Sequence, residues 1–172
     1  GQAGKFGSLF TTSRANTSAT FDSVRSISPP PANFFGQTPY LLGSGNVLYY
    51  VAGSAGAGVY RVEKGPGDWP AAGVQVIGVS SPGGEAYPTV TPDELTMYVG
   101  SLRTGRMNIF VAARSKPSDP FSRVTAVSEL NTSDENVPMW ISPDGCRLYF
   151  RRAVVTDAQS KVTSFFVANH AR

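Results

Sequence analysis

Acidic side chains beside predicted turns are the residues of this 172-residue chain that could do chemistry. Five of them could converge from different turns: Asp93, Glu94, Asp134, Glu135 and Asp144. A pair of carboxylates can act as acid and base in glycoside hydrolysis. The single histidine, His170, lies two residues from the end, where chains fray, so no Ser-His-Asp or Cys-His triad is predicted. We therefore assign no catalytic residue and favour binding over catalysis.

Metal, nucleic-acid and membrane functions find little support in the composition. Cys146 is the only cysteine, which excludes an intrachain disulfide and a cysteine-rich zinc site. No D-x-D-x-D-G calcium loop occurs, so neither a metal nor another cofactor is predicted. The 15 Lys and Arg residues are scattered and exceed the 12 acids by only three charges, unlike a nucleic-acid footprint. No apolar run is long enough for a membrane span.

The elements that must position these residues are predicted to be short β-strands. The chain has 18 Gly and 13 Pro, which interrupt helices, together with 10 Phe and 7 Tyr, which suit pleated sheets. Apolar residues alternate with period two between turn signals, and no segment has a good helical stripe of period 3.6. The sequence therefore predicts one all-β domain over residues 1–172.

An internal repeat of about 50 residues organises these strands. Glu85 and Glu135 are 50 residues apart, and so are Pro88 and Pro138. A second set is repeated at twice that period, because Phe10, Arg14, Phe21 and Val24 match residues of the same type at 110, 114, 121 and 124. Each unit contains four strands, a to d, which is typical of a propeller blade, with a β-sandwich as the alternative. The predicted units are a partial repeat 1–37, repeats 38–86 and 87–136, and a partial repeat 137–172.

Two segments make a more specific resemblance. Pro138–Phe150 and Ser101–Val111 resemble the TolB-like propeller repeat, whose pattern is P-x-Φ-S-P-D-G-x-x-Φ-Y-F followed by S-x-R-x-G-x-x-(D/N)-I-Φ-V, where Φ is apolar. Glu94 replaces the turn glycine in the repeat that contains Pro88, which predicts a different turn type there. We also expect the corresponding turn after Pro138 to be one residue longer. The resemblance implies four-stranded antiparallel blades and a binding or scaffold role in the bacterial envelope, in the periplasm or outside the cell.

The same resemblance implies a set of candidate ligand-binding residues. It places Glu85 and Glu135 near the central channel, where they either coordinate a ligand or accept backbone hydrogen bonds, and the structural role is favoured. It places Arg103 and Asn108 at the turn between strands b and c, where a side-chain bridge across the hairpin is favoured. The partner implied is a protein or a glycan. A carboxylate hydrolase, or a propeller that gates a larger hydrolase, is the alternative.

Ring closure is the remaining question that the strand count raises. The chain is predicted to hold strands c and d of one unit, two complete units, and strands a to c of a last one, or about 3.25 blades. This is fewer than the four blades that a ring needs, so two blade faces with apolar rows are left open. Either the chain belongs to a longer polypeptide, or a second copy completes the ring as a homodimer.

Overall fold

The computed structural model describes residues 9–26, 37–53, 58–67, 69–70, 73–156 and 160–169, without the side chains of Ser26, Gln37 and Val155. In these residues the regular structure consists of 13 strands and no helix. The strands are β1 (Phe10–Thr11), β2 (Arg25–Ser26), β3 (Gln37–Leu41), β4 (Val47–Ala52), β5 (Gly58–Glu63), β6 (Val74–Gln75), β7 (Glu85–Val90), β8 (Thr96–Ser101), β9 (Asn108–Ala113), β10 (Ser122–Ala126), β11 (Glu135–Ile141), β12 (Arg147–Val155) and β13 (Lys161–Asn169).

The strands form four antiparallel sheets in chain order. Sheet 1 contains β1 and β2, sheet 2 contains β3 to β6, sheet 3 contains β7 to β10, and sheet 4 contains β11 to β13. Each strand pairs only with its neighbours in sequence. Successive four-stranded meanders that stack face to face are propeller blades. The fold is therefore a partial β-propeller, as the sequence predicts, with the expected division into two, four, four and three strands.

Stacked faces of neighbouring sheets form the core. Sheets 2 and 3 share the largest cluster of buried residues, which includes Tyr49, Val59, Met97 and Phe110. Sheets 3 and 4 share a second cluster around Ile109, Leu148 and Phe150, and Leu9 with Trp69 covers the outer face of sheet 2. Successive side chains of a strand point to opposite faces of its sheet. Both faces of sheets 2 and 3 have apolar side chains, because each of these sheets packs between two neighbours.

The turns between the first two strands of sheets 2, 3 and 4 have the same geometry. Glu94 has φ +61°, and the residues at the same position in the other turns, Gly45 and Gly145, have φ +74° and +70°. In each turn this residue donates its backbone N–H to the carbonyl three residues earlier, at Leu42, Thr91 or Ser142. The prediction that Glu94 changes the turn type is wrong. The glutamate accepts a left-handed conformation that costs about 1–2 kcal/mol, and its side-chain contacts offset that cost.

The extra residue of the last repeat lies in a strand. The backbone bonds from Thr91 to Thr96 and from Ser142 to Arg147 close turns of equal length, so the longer turn expected after Pro138 is not found. Both β7 and β11 bulge at the same place, because two residues, Tyr87 and Pro88 in β7 and Pro138 and Met139 in β11, lie opposite a single residue of the neighbouring strand. The repeated proline is the second bulge residue in β7 and the first in β11, so an alignment on the prolines is shifted by one residue.

This shift changes which residues of β7 and β11 correspond. Glu85 pairs with Ser101, and the residue that pairs at the same position of β12, Arg152, is Asn136. Glu135 pairs with Ala153 instead. The alignment of Glu85 with Glu135 is therefore wrong by one residue, because the prolines that are 50 residues apart occupy different positions of the same bulge.

Candidate functional site

Glu85 and Arg103, two of the predicted site residues, belong to one buried cluster. The Arg103 Nη2 atom lies 3.2 Å from Glu85 Oε1 and donates to the carbonyl of Val79 at 2.6 Å. Ser101 Oγ donates to Glu85 Oε1 at 3.2 Å and accepts from Arg103 Nε at 3.0 Å. The backbone N–H of Ser81 donates to Glu85 Oε2 at 3.0 Å. We call this set the Glu85 cluster.

The Glu85 cluster ties three segments of sheet 3 together. Glu85 begins β7, Ser101 ends β8, and Arg103 follows in the turn to β9, where its guanidinium also stacks 4.7 Å from the Phe110 ring centre. The Glu85 side chain is fully buried, and both of its oxygens have partners within the protein. Buried charges of this kind hold a fold in register when every hydrogen bond is made. Both charges of the pair have partners within the protein.

Sheet 4 uses different residues for the same purpose. Arg152 Nε donates to Asn136 Oδ1 at 2.9 Å, and Arg152 Nη2 donates to the carbonyl of Leu130 at 3.2 Å. The guanidinium lies 5.0 Å from the centre of the Phe166 ring. In both sheets an arginine joins the start of the first strand to the preceding loop while stacking on a phenylalanine, but the arginine comes from the turn in sheet 3 and from β12 in sheet 4.

Glu135 lies in a more open setting. Its Oε2 atom is 2.6 Å from Lys161 Nζ, an ion pair between β11 and β13 that is partly exposed. Glu135 also borders a cavity of about 410 Å³ between the β8–β9 turn and the segment before β11. This loop-face cavity is lined by Leu102, Gly105, Arg106, Met107, Ser133, Asp134, Glu135 and Ala153.

Asn108 lies at the end of the same β8–β9 turn. Its Nδ2 atom donates to Thr104 Oγ1 at 3.3 Å, and its Oδ1 atom is buried without a hydrogen-bond partner. Arg103 and Asn108 are not joined to each other by a described hydrogen bond, since Arg103 turns to Glu85, and the side-chain bond across this hairpin is the one from Asn108 to Thr104. The structure thus brings Glu85 and Arg103 together, and it gives Glu135 and Asn108 separate partners.

A second charged cluster surrounds Glu94 at the opposite end of β8. Arg61 Nε and Nη2 donate to the two carboxylate oxygens at 2.6 and 3.0 Å, and Tyr49 donates its hydroxyl hydrogen to Oε2 at 2.5 Å. Arg114 donates from Nε to the Glu94 carbonyl at 2.7 Å and from Nη2 to the Tyr49 oxygen at 2.9 Å. Since Tyr49 and Arg61 belong to sheet 2 and the other two residues to sheet 3, this Glu94 cluster joins neighbouring blades.

The ionisation of the Glu94 cluster follows from its contacts. Burial raises the pKa of Glu94, but the hydrogen bonds from Arg61 and Tyr49 outweigh burial and hold that pKa below its ordinary value. Burial and the bond to Glu94 raise the pKa of Tyr49, and the bond to Glu94 raises the pKa of Arg61 despite desolvation. At neutral pH the cluster contains a carboxylate, a neutral phenol and paired guanidinium groups.

Sequence reasoning named Glu94 only as an unusual turn residue and as one of five acids. Its partners lie 45, 33 and 20 residues away in the chain, so no local pattern connects them. The available signal was the glutamate itself, at a turn position where the other two repeats have Gly45 and Gly145. A charged residue that accepts backbone strain is usually held by strong contacts.

Clusters of possible metal ligands and membrane-spanning helices are not found in the part of the chain that the structure describes. Those residues contain no group of three or more His, Cys, Asp or Glu side chains that could hold a metal ion. They also contain no helix long and apolar enough to cross a membrane.

The successive antiparallel sheets, packed face to face, define the protein as a partial β-propeller. Among solved structures, the chain is similar to the structure of a putative TolB from Agrobacterium tumefaciens, with a TM-score of 0.57 and 14% sequence identity. The match covers 93% of this chain and 56% of that one, so the chain spans about half the length of its structural neighbour. Neither a known protein family nor a curated protein matches the sequence. The likeness therefore supports the fold and carries no activity.

Proposed function

We propose that this chain is a non-catalytic binding propeller of the bacterial envelope that recognises a protein partner at the loop-face cavity. The envelope location follows from the TolB-like resemblance of the repeats. A second copy of the chain completes the ring in this proposal.

The observation that carries the proposal is the composition of the cavity. Arg106 and Asp134 present opposite charges beside the apolar side chains of Leu102 and Met107, and Leu102 is exposed. Mixed charges around an apolar centre suit a protein surface, where a buried anchor is flanked by polar contacts. None of the lining residues that the structure describes is aromatic, which favours a protein over a glycan, since sugars commonly stack on aromatic rings.

The four predicted site residues have distinct roles in this proposal. Glu135 contacts the partner directly, because it lines the cavity and is partly exposed. Arg103 and Glu85 hold the β8–β9 turn in position from beneath through their ion pair. Asn108 supports the end of that turn through Thr104.

The ion pairs that the glutamates make with Arg and Lys side chains support binding over hydrolysis. A glycosidase needs one protonated and one ionised carboxyl facing each other across the scissile bond. Glu85 is bound to Arg103, Glu94 to Arg61 and Glu135 to Lys161. Each of these three therefore faces a cation of the protein and not a second carboxyl group.

The test is a binding assay with two charge-reversal variants and one matched control. The probe is an envelope-protein fraction from a bacterium, cross-linked to the immobilised chain and identified by mass spectrometry, followed by titration with the purified partner. We expect Arg106→Glu and Glu135→Lys to weaken binding at least about tenfold. Lys116→Glu, which reverses an exposed charge in the β9–β10 connection, should leave binding unchanged.

Two results would contradict the proposal. Equal affinity of the wild-type chain and both cavity variants for the purified partner would exclude the loop-face cavity as the site. Release of reducing sugar from polysaccharide, abolished by Glu135→Gln, would instead identify a carboxylate hydrolase.

A further inference from the structure

The packing between sheets 2 and 3 provides a template for surfaces that are left uncovered elsewhere. Phe110 and Phe121 of sheet 3, with the partly buried Val124, share one core with Tyr49 and Val59 of sheet 2. Arg114 adds a polar contact to this interface, because its guanidinium stacks on Phe121 and donates to the Tyr49 hydroxyl oxygen at 2.9 Å. Each side of this interface has a counterpart at one end of the chain.

The first counterpart lies on sheet 1, exactly 100 residues before the sheet 3 residues. Phe10 pairs with Ser26 as Phe110 pairs with Ala126. Arg14 stacks on Phe21 at 4.9 Å as Arg114 stacks on Phe121 at 4.3 Å. Sheet 1 therefore has the geometry of the two outer strands of a blade.

The apolar side chains of this sheet are exposed where their counterparts are buried. Phe10, Phe21 and Val24 are 62%, 61% and 67% exposed. The opposite side of the hairpin is covered, since Leu9 packs against Leu48 of sheet 2 as its counterpart Ile109 packs against Leu148 of sheet 4. We call Phe10, Phe21 and Val24, with Arg14, the head patch.

The second counterpart lies on sheet 4. Tyr149 pairs with Val167, and Arg151 with Phe165, in the register in which Tyr49 pairs with Arg61 and Val51 with Val59. Tyr149, Phe165 and Val167 are 37%, 73% and 49% exposed, whereas Tyr49 and Val59 are fully buried. We call these three residues the tail patch. Phe165 and Val167 of the patch lie in β13, whose second edge is unpaired among the described strands.

We infer that the head patch of one copy of this chain packs on the tail patch of a second copy. The head patch corresponds to the outer-strand part of the sheet 3 side of this interface, and the tail patch corresponds to the sheet 2 side, so the apolar character of the two patches matches. Arg14 then meets Tyr149 of the second copy as Arg114 meets Tyr49 within the chain. Exposed aromatic residues of this number mark an interaction surface, and head-to-tail contacts that close make a ring of two chains.

This inference rests on the part of the proposed function in which a second copy completes the ring. It does not depend on partner binding at the loop-face cavity, which contains no residue of either patch. A wild-type chain that binds the partner but does not self-associate would overturn the present inference and the ring completion on which it rests, but not the binding site. A chain that self-associates but does not bind a partner at the cavity would overturn only the binding site.

The experiment measures solution mass by light scattering for the 172-residue chain and three variants. Phe21→Asp changes the head patch and Phe165→Asp changes the tail patch, while Val74→Asp alters an equally exposed strand residue outside both patches, 77% exposed. We expect about twice the 18.2 kDa chain mass for the wild type and for Val74→Asp, and a single chain mass for each patch variant. Because all three side chains are exposed, the far-ultraviolet circular dichroism should not change.

Mixing the two patch variants separates a head-to-tail contact from the alternatives. The Phe21→Asp chain retains its tail patch and the Phe165→Asp chain retains its head patch, so an equimolar mixture should form a one-to-one pair. A monomeric wild-type chain would overturn the inference. Self-association of either patch variant alone would also overturn it, because that result requires a contact between two identical patches.

Discussion

At the scale of single residues, Glu94 is the side chain on which the junction between sheets 2 and 3 depends most. It occupies a left-handed turn position at φ +61° and binds Tyr49, Arg61 and Arg114. Removing one partner of a buried ion pair leaves the others desolvated without compensation, which costs more than the pair contributes.

Two substitutions of Glu94 separate the backbone strain from the ion pairs. Glu94→Ala should lower the free energy of unfolding by about 3 kcal/mol, because two arginines lose their carboxylate. Glu94→Gly loses the same contacts but removes the left-handed strain, so it should be more stable than Glu94→Ala by about 1 kcal/mol. Urea unfolding of the two variants measures the difference. Equal stability of the two would show that the turn carries no strain.

The same carboxylate should make stability depend on pH. The folded pKa of Glu94 is below its ordinary value of 4.5, so the unfolded state binds a proton first as the pH falls. The stabilisation by ionised Glu94 is complete above 4.5 and is lost as the pH falls through the folded pKa.

Comparing the wild type with Glu94→Gln isolates this contribution, because every other carboxylate is common to both proteins. The wild type should be the more stable protein near neutral pH, and its advantage should shrink steadily below about pH 4.5. Chemical unfolding at several pH values measures it. An advantage that stays constant down to about pH 3 would exclude Glu94 as the source.

At the scale of elements, the loop after β6 packs closely against Phe121, the residue before β10. Gly78 has φ +88°, and a Cβ atom there would lie 1.9 Å from the carbonyl oxygen of Phe121. The backbone N–H of Phe121 also donates to the Ile77 carbonyl at 3.0 Å. Sheets 2 and 3 are thus joined at their outer strands by backbone contact.

Gly78→Ala should lower the thermal midpoint substantially. The added methyl meets backbone that cannot move aside, so overlap adds about 1–3 kcal/mol to the conformational cost of positive φ. The matched control is Gly45→Ala, since Gly45 has φ +74° with open space around it. The control should lose only about 1 kcal/mol. Similar midpoints for the two variants would show that the outer strands separate easily.

At the scale of the whole molecule, the proposed contact between the head and tail patches should couple stability to assembly. A protein that is stabilised by binding a second copy unfolds at a temperature that rises with its concentration. We expect the wild-type thermal midpoint to rise over a hundredfold range of concentration and the Phe165→Asp midpoint to stay constant, as scanning calorimetry would measure. A wild-type midpoint independent of concentration would argue against coupling between folding and assembly.

The sequence by itself determined the features that local chemistry controls. Period-two alternation predicted the strands, and Asp93 and Asp144 accept the downstream N–H bonds expected of turn aspartates. The 100-residue spacing of Phe10, Arg14 and Phe21 predicted that the first strands repeat the outer strands of a later unit. Sheets 1 and 3 do share this strand pairing, and in both an arginine stacks on a phenylalanine ring. These features depend on neighbours in sequence, which a repeat preserves.

Only the tertiary structure decided strand register and the partners of buried charges. Asn136 and not Glu135 lies opposite Arg152, because the repeated proline is a different residue of the bulge in β11 than in β7, and sequence spacing does not reveal that difference. Glu94 meets Arg61 because two blades stack, although 33 residues separate them along the chain. Arg103 similarly reaches Glu85 across the sheet rather than Asn108 beside it. A buried charge must be paired with a counterion or a hydrogen-bond partner. Only the packing of the sheets determines which partner lies within reach, because the local sequence offers several.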